Sequence, residues 1–448
     1  MISALSGNQP VCAVMKALPK KPDCYNRSGC LSCMMTSRRQ FIKAAGLLGG
    51  ITTLPHLGFG NTYQENNFPG ELLNVANDDD LFKLVRKQLL IPESRIYLNT
   101  GSLGPSPLMV MDTVSALVRQ LEMNPVSENW GPLGNQMEAV RKKVADFIHA
   151  EVDEILITRN TTEGLSLIGQ SLHLNKGDEI LTTTDEHGGG EVGLEFLAQH
   201  KGAVLRKFDM PLPSLSREEV IQTVEKNITA KTKLIMVSHV NTSSGMLMPL
   251  EEISKTTQAK GIYLIADGAQ APGLTRVDVR ALGVDAYAAS GHKWMMGPKE
   301  TGFVYFKKNF QDKVKPVFSS SGFATYTKSS GTRNVATIIG LGTAIDWINL
   351  IGMEKIQQRC LETRNYCLGE LKKLAGLKII SPEVASLSTG IVSFSLEKAK
   401  NDDVYNKLKE QDIIVKLLSK YNAIRISCHM FVTRGDIDAF IKALKPLL

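Results

Sequence analysis

The sequence of 448 residues lacks a long uninterrupted apolar run, and it lacks the cysteines needed for a disulfide framework. Of its seven cysteines only Cys360, Cys367 and Cys428 follow residue 60, and three thiols cannot form a closed set of disulfides. The one apolar stretch near the start is short and is interrupted by Gly46 and Pro55, so it cannot span a bilayer. We therefore expect neither a disulfide scaffold nor stable membrane insertion.

The chain also lacks a strong charge of one sign once its first part is set aside. Of the 52 basic and 45 acidic residues, residues 1–60 hold seven and one, which leaves 45 against 44 for the remainder. A nearly neutral globular part gives no indication of a nucleic-acid partner. The length and the 43% hydrophobic content are ordinary for one large and one smaller globular domain.

The positive charge belongs to a segment typical of a twin-arginine export signal. Residues 37–43 read SRRQFIK and precede a mildly apolar, glycine-rich stretch. We interpret residues 1–60 as an export leader, cut near residues 58–61, and expect a periplasmic protein that uses the twin-arginine machinery. Met34 or Met35 is then a second candidate start, with residues 1–33 untranslated. An uncleaved leader on a cytoplasmic enzyme is the alternative. Cys30 and Cys33 lack a second pair nearby, so we expect no metal site.

The most informative stretch covers residues 262–303. An apolar run at residues 263–266 predicts a buried strand that ends in Asp267, and a second run at 286–289 leads to a turn containing Lys293. A carboxylate at one strand end and a lysine just past the next suit pyridoxal phosphate (PLP). The lysine forms an imine with the cofactor, and the acid pairs with its protonated ring nitrogen.

The motif in this stretch resembles that of the class V aminotransferase branch of the fold-type I PLP enzymes. That branch includes cysteine desulfurases, isopenicillin N epimerase and several aminotransferases. Its motif reads approximately D-x-x-Q/H, then S-x-H-K and G-P-x-G-x-G. The matching positions here are Asp267, Gln270, Ser290, His292, Lys293, Gly297, Pro298 and Gly302. Glu300 replaces the middle glycine.

The resemblance implies an α/β fold of the fold-type I transferases. We expect a PLP-binding large domain over residues 91–335, with a mostly parallel seven-stranded sheet between helices. A smaller α+β C-terminal domain is expected over residues 336–448, and residues 61–90 should pack with it.

The resemblance also implies a role for each motif residue. Lys293 would form the Schiff base and then act as general base and acid at Cα. Asp267 would pair with the pyridine nitrogen and Gln270 would bond the ring phenol oxygen. Ser290 and His292 would hold the phosphate.

A second cofactor-binding segment follows a predicted strand at residues 155–157. The polar turn contains Thr161 and Thr162 and precedes a helical pattern, so its N–H groups and hydroxyls suit a phosphate; a plain helix cap is the alternative. The family often places Glu-His after the next strand, which makes His187 the candidate for stacking on the ring. The run Gly188-Gly189-Gly190 departs from the family pattern.

Three further positions come from the resemblance. Asn99 lies in a turn that borders the substrate in the family, although a simple Gly/Pro turn explains the sequence equally well. Thr242 occupies the place of an asparagine that in desulfurases contacts the ring oxygen. Thr332 lies in a loop that reaches the partner's phosphate, which implies a homodimer with shared sites; a polar turn capping the next helix is the alternative.

Arg425 is the residue that the resemblance assigns to the substrate carboxylate, since a guanidinium fork fits a carboxylate bidentately. Desulfurases carry a cysteine upstream of this arginine, but residues 412–423 contain none, and Cys428 reads as a packing residue. We therefore predict an aminotransferase or an epimerase-like enzyme acting on an α-amino acid or related amine. A cysteine desulfurase or C–S lyase, and a non-catalytic PLP-fold binding protein, are the alternatives.

Overall fold

A computed structural model describes residues 68–72, 74–314, 323–326 and 330–448. The twin-arginine motif, both candidate start sites and the Cys30–Cys33 pair lie outside these residues. All described residues belong to one unit that runs over Gly58–Leu448.

The strands form one large sheet, one smaller sheet and a separate pair. The large sheet has seven strands in the order β2-β8-β7-β6-β5-β3-β4, and only β8 runs antiparallel to its neighbours. This confirms the predicted mostly parallel sheet. The strands are β1 (Ile96–Tyr97), β2 (Ile155–Thr158), β3 (Glu179–Thr183), β4 (Val204–Phe208), β5 (Thr232–Ser238), β6 (Tyr263–Asp267), β7 (Ala286–Ser290), β8 (Gly302–Phe306), β9 (Leu377–Ile379), β10 (Ile391–Leu396), β11 (Ile413–Ile414), β12 (Lys416–Leu418) and β13 (Ala423–Ser427).

The helices of the described chain surround the large sheet and cover the small one. They are α1 (Phe68–Leu72), α2 (Asp78–Lys87), α3 (Leu108–Met123), α4 (Pro125–Trp130), α5 (Pro132–Ile148), α6 (Thr161–Ser171), α7 (Gly188–Lys201), α8 (Arg217–Asn227), α9 (Leu250–Ala259), α10 (Val279–Leu282), α11 (Val335–Ile351), α12 (Met353–Leu371), α13 (Asn401–Glu410) and α14 (Arg434–Leu444). Helices α6 and α7 pack on each other, and α11 packs against α3 and α5. Apolar side chains of α6 and α7 share one core with those of the large sheet.

The C-terminal part is a smaller α+β unit, as predicted. Its four antiparallel strands follow the order β12-β13-β10-β9. Strand β1 pairs in parallel with β11, so the chain just before Asn99 joins this part. Helix α2 also contacts α12, through an ion pair between Asp78 and Lys355 and through Arg359 over the ring of Phe82.

No single helix within the described residues is both long and apolar enough to cross a membrane. One pair, α11 and α12, meets the length and composition requirement only when taken together, and it is bent by 77°. Nearly every residue of α11 is buried in the protein interior.

The parallel strands end at a shared edge, and this edge positions the polar side chains of the site. Ser238 at the end of β5 is the register partner of Asp267 at the end of β6. Strand β7 ends at Ser290 beside them, and the chain continues into the turn that carries Lys293. In open α/β sheets such carboxyl ends are where ligands bind.

Candidate active site

Lys293 lies in a turn that is fixed by backbone hydrogen bonds. Gly291 N–H donates to the carbonyl of Thr301 at 2.7 Å, and Gly297 N–H donates to that of Gly291 at 2.8 Å. Burial lowers the pKa of Lys293 to about 8, and repulsion from Arg425 and Lys416 adds to this, while attraction to Asp267 opposes it. A lysine in this state exists partly as the neutral, nucleophilic amine near neutral pH.

Asp267 is almost fully buried at the end of β6, with 4% of its surface exposed. One carboxylate oxygen accepts a hydrogen bond from Ala269 N–H at 2.8 Å. Burial raises its pKa, and the Ala269 hydrogen bond, Lys293 and His187 act in the opposite direction. The structure therefore places the predicted acid within electrostatic reach of the predicted lysine.

The glycine run after His187 begins helix α7 and allows it to pack closely. His187 caps this helix, its Nδ1 accepting from Gly189 N–H at 3.1 Å. A Cβ on Gly189 would lie 2.4 Å from the Thr162 hydroxyl, and one on Gly190 would lie 2.9 Å from Asp267 Oδ2. The departure from the family pattern thus reflects a tight approach of α7 to α6 and to Asp267.

Thr161 and Ser290 meet at the N-terminus of α6. Thr161 N–H donates to Ser290 Oγ at 3.0 Å, and the two hydroxyls lie 2.7 Å apart. His292 Nδ1 is buried without a hydrogen-bond partner, and burial lowers the pKa of this histidine to about 4. Hydroxyls and N–H groups at a helix N-terminus suit a phosphate dianion. Thr162, the next residue of α6, is exposed.

Arg425 is buried, with 2% of its surface exposed, and it is held by neutral oxygens. Its guanidinium donates to the carbonyl of Thr242 at 3.0 Å, to the hydroxyl of Thr242 at 2.9 Å and to Asn99 Oδ1 at 3.3 Å. Burial lowers its pKa to about 10. The structure thus brings together Asn99 and Arg425, which the sequence analysis placed at the substrate, and Thr242, which it placed at the cofactor.

Gln270 links this group to the lysine turn through contacts that the sequence analysis missed. Its Nε2 donates to the carbonyl of Gly101 at 2.8 Å and to the Thr242 hydroxyl at 3.3 Å, while its Oε1 accepts from Trp294 Nε1 at 2.7 Å. The only sequence signal for Trp294 was its place directly after Lys293. Bonding of Gln270 to the cofactor phenol oxygen stays a prediction.

Glu186 is a second carboxyl group near Asp267 that the sequence analysis passed over. It accepts hydrogen bonds from the hydroxyls of Thr183 and Ser238. Burial raises its pKa to about 7, and the two hydroxyls partly oppose that effect. Its place directly before His187 was the available signal.

Thr332 lies in a surface groove beside the first turn of α6. It is exposed and lines a groove of about 340 Å³ together with Arg159, Glu163 and Glu300. In the part of the chain that the structure describes, it makes no hydrogen bond to the residues of the phosphate end. Glu300 adopts a left-handed backbone with φ of 60°, a conformation that favours the glycine found there in the family pattern. The dimer contact expected of Thr332 stays a prediction.

The cysteines of the described chain lie in the interior. Cys360, Cys367 and Cys428 are all free and buried, so Cys428 is the packing residue that its sequence context predicted. Residues 412–423 form β11, β12 and the turn that follows. They contain no cysteine, so this segment provides no thiol for the site.

The model of the Aminotransferase class-V family matches residues 96–440. A probable cysteine desulfurase of Halalkalibacterium halodurans is 31% identical over 382 residues, which is 78% of this chain and 92% of the relative. Isopenicillin N epimerase of Amycolatopsis lactamdurans is 27% identical and covers 81% of this chain and 97% of its own length.

Solved structures show the same fold. A variant of C-DES with glycine covalently linked to its PLP cofactor superimposes with a TM-score of 0.72 at 23% identity, covering 81% of this chain and 99% of that one. The apo cysteine desulfurase of Thermococcus onnurineus gives a TM-score of 0.70 at 25% identity, with 82% and 97% covered.

The residues present fit PLP at each of its functional groups. His292 offers a buried ring nitrogen without a partner, and the Thr161–Ser290 pair offers hydroxyls at the N-terminus of α6; a phosphate needs donors of both kinds. Asp267 supplies a buried carboxylate for a protonated ring nitrogen, and Lys293 supplies the amine for the aldehyde.

Proposed function

Because this chain belongs to the class V aminotransferase family and is a PLP-dependent enzyme, we propose that it breaks a bond at or next to the Cα atom of an α-amino acid. One observation carries the proposal. Lys293, Asp267 and Arg425 come from three separate segments, yet the charges of Asp267 and Arg425 both act on the amine of Lys293. An amine, a ring-nitrogen partner and a carboxylate clamp are the groups that such chemistry needs.

Each residue has a distinct task in this scheme. Bound PLP supplies an electron sink for the carbanion formed at Cα. Arg425 would bind the substrate carboxylate and so fix Cα above the ring, and Asp267 would keep the ring nitrogen protonated. The neutral amine of Lys293, which its lowered pKa favours, would remove the Cα proton and return a proton later.

For the bond that breaks next, we favour carbon–sulfur cleavage of a cysteine-type substrate. The desulfurase relative is 31% identical to this chain, whereas the epimerase is 27% identical. The relatives therefore support carbon–sulfur cleavage more strongly than epimerisation. Because residues 412–423 carry no cysteine, a lyase that needs no protein thiol fits better than a desulfurase that does.

Transamination or epimerisation is the second candidate. The specific observation in its favour is Thr242, which stands where the resemblance places an asparagine in desulfurases and which hydrogen bonds to both Gln270 and Arg425. In these reactions Lys293 would remove the Cα proton and return a proton later, with no release of sulfur.

One experiment separates the candidates. The purified enzyme would be incubated with a panel of L-amino acids in deuterated water, with and without a 2-oxo acid, and followed by NMR and mass spectrometry. Sulfide or persulfide from cysteine or cystine would identify the lyase. Amino transfer only with the 2-oxo acid would identify an aminotransferase, and Cα deuteration with loss of chirality would identify an epimerase. If Cα retains its proton throughout the panel and no sulfur is released, the proposal fails.

The variant Lys293→Ala tests the common step. We expect loss of the visible absorption of lysine-bound PLP and loss of multiple turnover, because the variant lacks the amine that forms the imine with the cofactor. Lys398→Ala is the matched control, since this lysine lies in an exposed bend after β10. Undiminished turnover by Lys293→Ala would refute the role of Lys293.

We also propose export by the twin-arginine route, on the basis of the motif at residues 37–43. This route carries folded proteins, so PLP can be loaded before transport. Replacing Arg38 and Arg39 by lysine should hold the protein in the cytoplasm, as measured by fractionation. Unchanged distribution between the compartments would contradict the proposal.

A further inference from the structure

The side of the site around Arg425 holds more positive charge than the proposed reaction accounts for. Arg425 donates only to neutral oxygens, and its buried Nε has no partner. Within the described ranges, no carboxylate forms an ion pair with it. A buried guanidinium without a counter-charge is a binding site for an anion, and the substrate α-carboxylate takes this place in the proposed function.

Lys416 adds a second cation on the same face. Strand β12 pairs antiparallel with β13, and Lys416 is the direct register partner of Arg425. Side chains of such partners stand on one face of a sheet, about 5 Å apart at Cβ. Lys416 is exposed, and in the structure as described it forms no salt bridge. Its ammonium group is thus free to receive a ligand beside Arg425.

The electrostatic surroundings indicate that Lys416 faces the site. Repulsion from Lys416 contributes to the lowered pKa of Lys293 and to that of His187. The pKa of Lys416 itself is lowered, first by partial burial and then by Arg425. Three cations and one histidine therefore share this region.

The carboxyl groups nearby are already engaged. Asp267 accepts from Ala269 N–H and is the partner of the cofactor ring nitrogen in the proposed function. Glu186 accepts from the hydroxyls of Thr183 and Ser238. The phosphate donors lie elsewhere, at the N-terminus of α6. When a substrate carboxylate binds Arg425, the charge of Lys416 remains without a counter-charge.

We propose that Lys416 is a specificity-determining residue that binds a second anionic group on the substrate side chain. The preferred substrate class is then the amino acids with two negative charges, whose second carboxylate or sulfinate lies a few bonds from Cα. The inference rests on the proposed function for the place of the first carboxylate. The pair of cations gives the site its selectivity. A substrate with a neutral side chain forms no ion pair with Lys416 and so gains no binding free energy from it.

The test uses a pair of ligands that need no reaction. Succinate and butyrate have the same number of carbons and differ by one carboxylate, and their binding to the PLP-loaded enzyme can be measured by calorimetry. We expect succinate to bind roughly tenfold more tightly, the usual size of one charge-assisted hydrogen bond. Lys416→Met should abolish this ratio, and Lys416→Arg should keep most of it.

The control variant is Lys398→Met, which removes the same charge from the exposed bend after β10 and should keep the ratio. A ratio unchanged in Lys416→Met would overturn the inference, as would equal binding of the two ligands to the unmodified enzyme. The proposed function is tested separately by the L-amino-acid panel in deuterated water. Turnover of no amino acid in that panel, combined with a succinate preference that depends on Lys416, would overturn the amino-acid reaction and leave the anion site standing.

Discussion

At the scale of single residues, Gly101 shows how tightly the substrate end is built. A Cβ at this position would lie 2.8 Å from a guanidinium nitrogen of Arg425 and 2.9 Å from Gln270 Oε1. Such distances are too short for unbonded atoms, so a side chain here must displace one of the two groups. Glycine is needed at this position for close approach and not for an unusual turn.

We predict that Gly101→Ala raises KM for the amino acid substrate by roughly tenfold, because the guanidinium fork moves from its carboxylate position by part of a bond length. Steady-state kinetics measures the change. Gly369→Ala is the control, since a Cβ on this residue of α12 meets nothing within 4 Å. It should leave KM unchanged, and an equal KM for both variants would contradict the crowding argument.

The lowered pKa of Lys293 makes a prediction about pH. Only the neutral amine attacks the cofactor aldehyde, so the rate at which PLP adds to the cofactor-free protein should rise with pH and level off above about pH 8. An ordinary lysine would give a midpoint near 10.5. Stopped-flow absorbance follows the reaction. A midpoint near the ordinary value would show that burial does not tune this amine.

The pH dependence of PLP addition to the Asp267→Asn variant tests the sign of the contribution that Asp267 makes to the pKa of Lys293. The negative charge of Asp267 raises the pKa of Lys293, against the larger effect of burial. Without that charge the midpoint should move to lower pH. An unchanged midpoint would mean that Asp267 is already protonated and uncharged in the cofactor-free protein.

At the scale of secondary structure, helix α6 combines a structural cap with a binding role. Asn160 caps it, its Oδ1 accepting from Glu163 N–H at 2.9 Å, and Thr161 begins the helix beside Ser290. The orientation of the helix N-terminus toward the phosphate position therefore depends on this cap.

Replacing Asn160 by alanine should cost about 1 kcal/mol of stability and should also weaken PLP binding severalfold. Urea unfolding and PLP titration of the cofactor-free protein measure the two effects. Ser216→Ala is the matched control, because Ser216 caps α8 by accepting from Glu219 N–H at 3.1 Å. It should cost similar stability and leave PLP affinity unchanged. Equal PLP affinities in the two variants would contradict the binding role of α6.

Strands buried on both faces could be predicted from sequence, while exposed or short ones could not. Strands β2, β6 and β7 are apolar runs, and the sequence analysis found each of them within one residue. Strand β4 was missed because its pattern is mostly exposed. Helix α7 was missed as well, because a run of three glycines is typical of a loop. The structure shows that these glycines allow α7 to approach α6 closely.

The same limit applies to the site. Asp267 and Lys293 could be predicted because strand ends and turns are local features of the chain. The Trp294–Gln270 hydrogen bond and the Lys416–Arg425 register depend on how distant segments meet, and a single sequence does not encode that in any local pattern. Thr332 could be predicted only through the family resemblance, and among the described residues it makes no hydrogen bond to the phosphate end of the site.

At the scale of the whole molecule, we predict a homodimer. Thr332 lies exposed in an open groove and, among the described residues, makes no hydrogen bond to the phosphate end of its own site, as we expect if it serves a partner. Analytical ultracentrifugation of the PLP-loaded enzyme should give the mass of two chains. A monomer with full turnover would contradict the expectation of shared sites.

The pairing of β1 with β11 has a consequence for the order in which the protein is made. The Asn99 oxygen that receives Arg425 lies 326 positions before it, whereas Lys293, Asp267 and the cradle on α6 all emerge earlier from the ribosome. A nascent chain can thus form its cofactor-binding site well before it can bind a substrate. The enzyme would therefore be inactive through most of its synthesis. It would become active only when its C-terminal strands pair with β1.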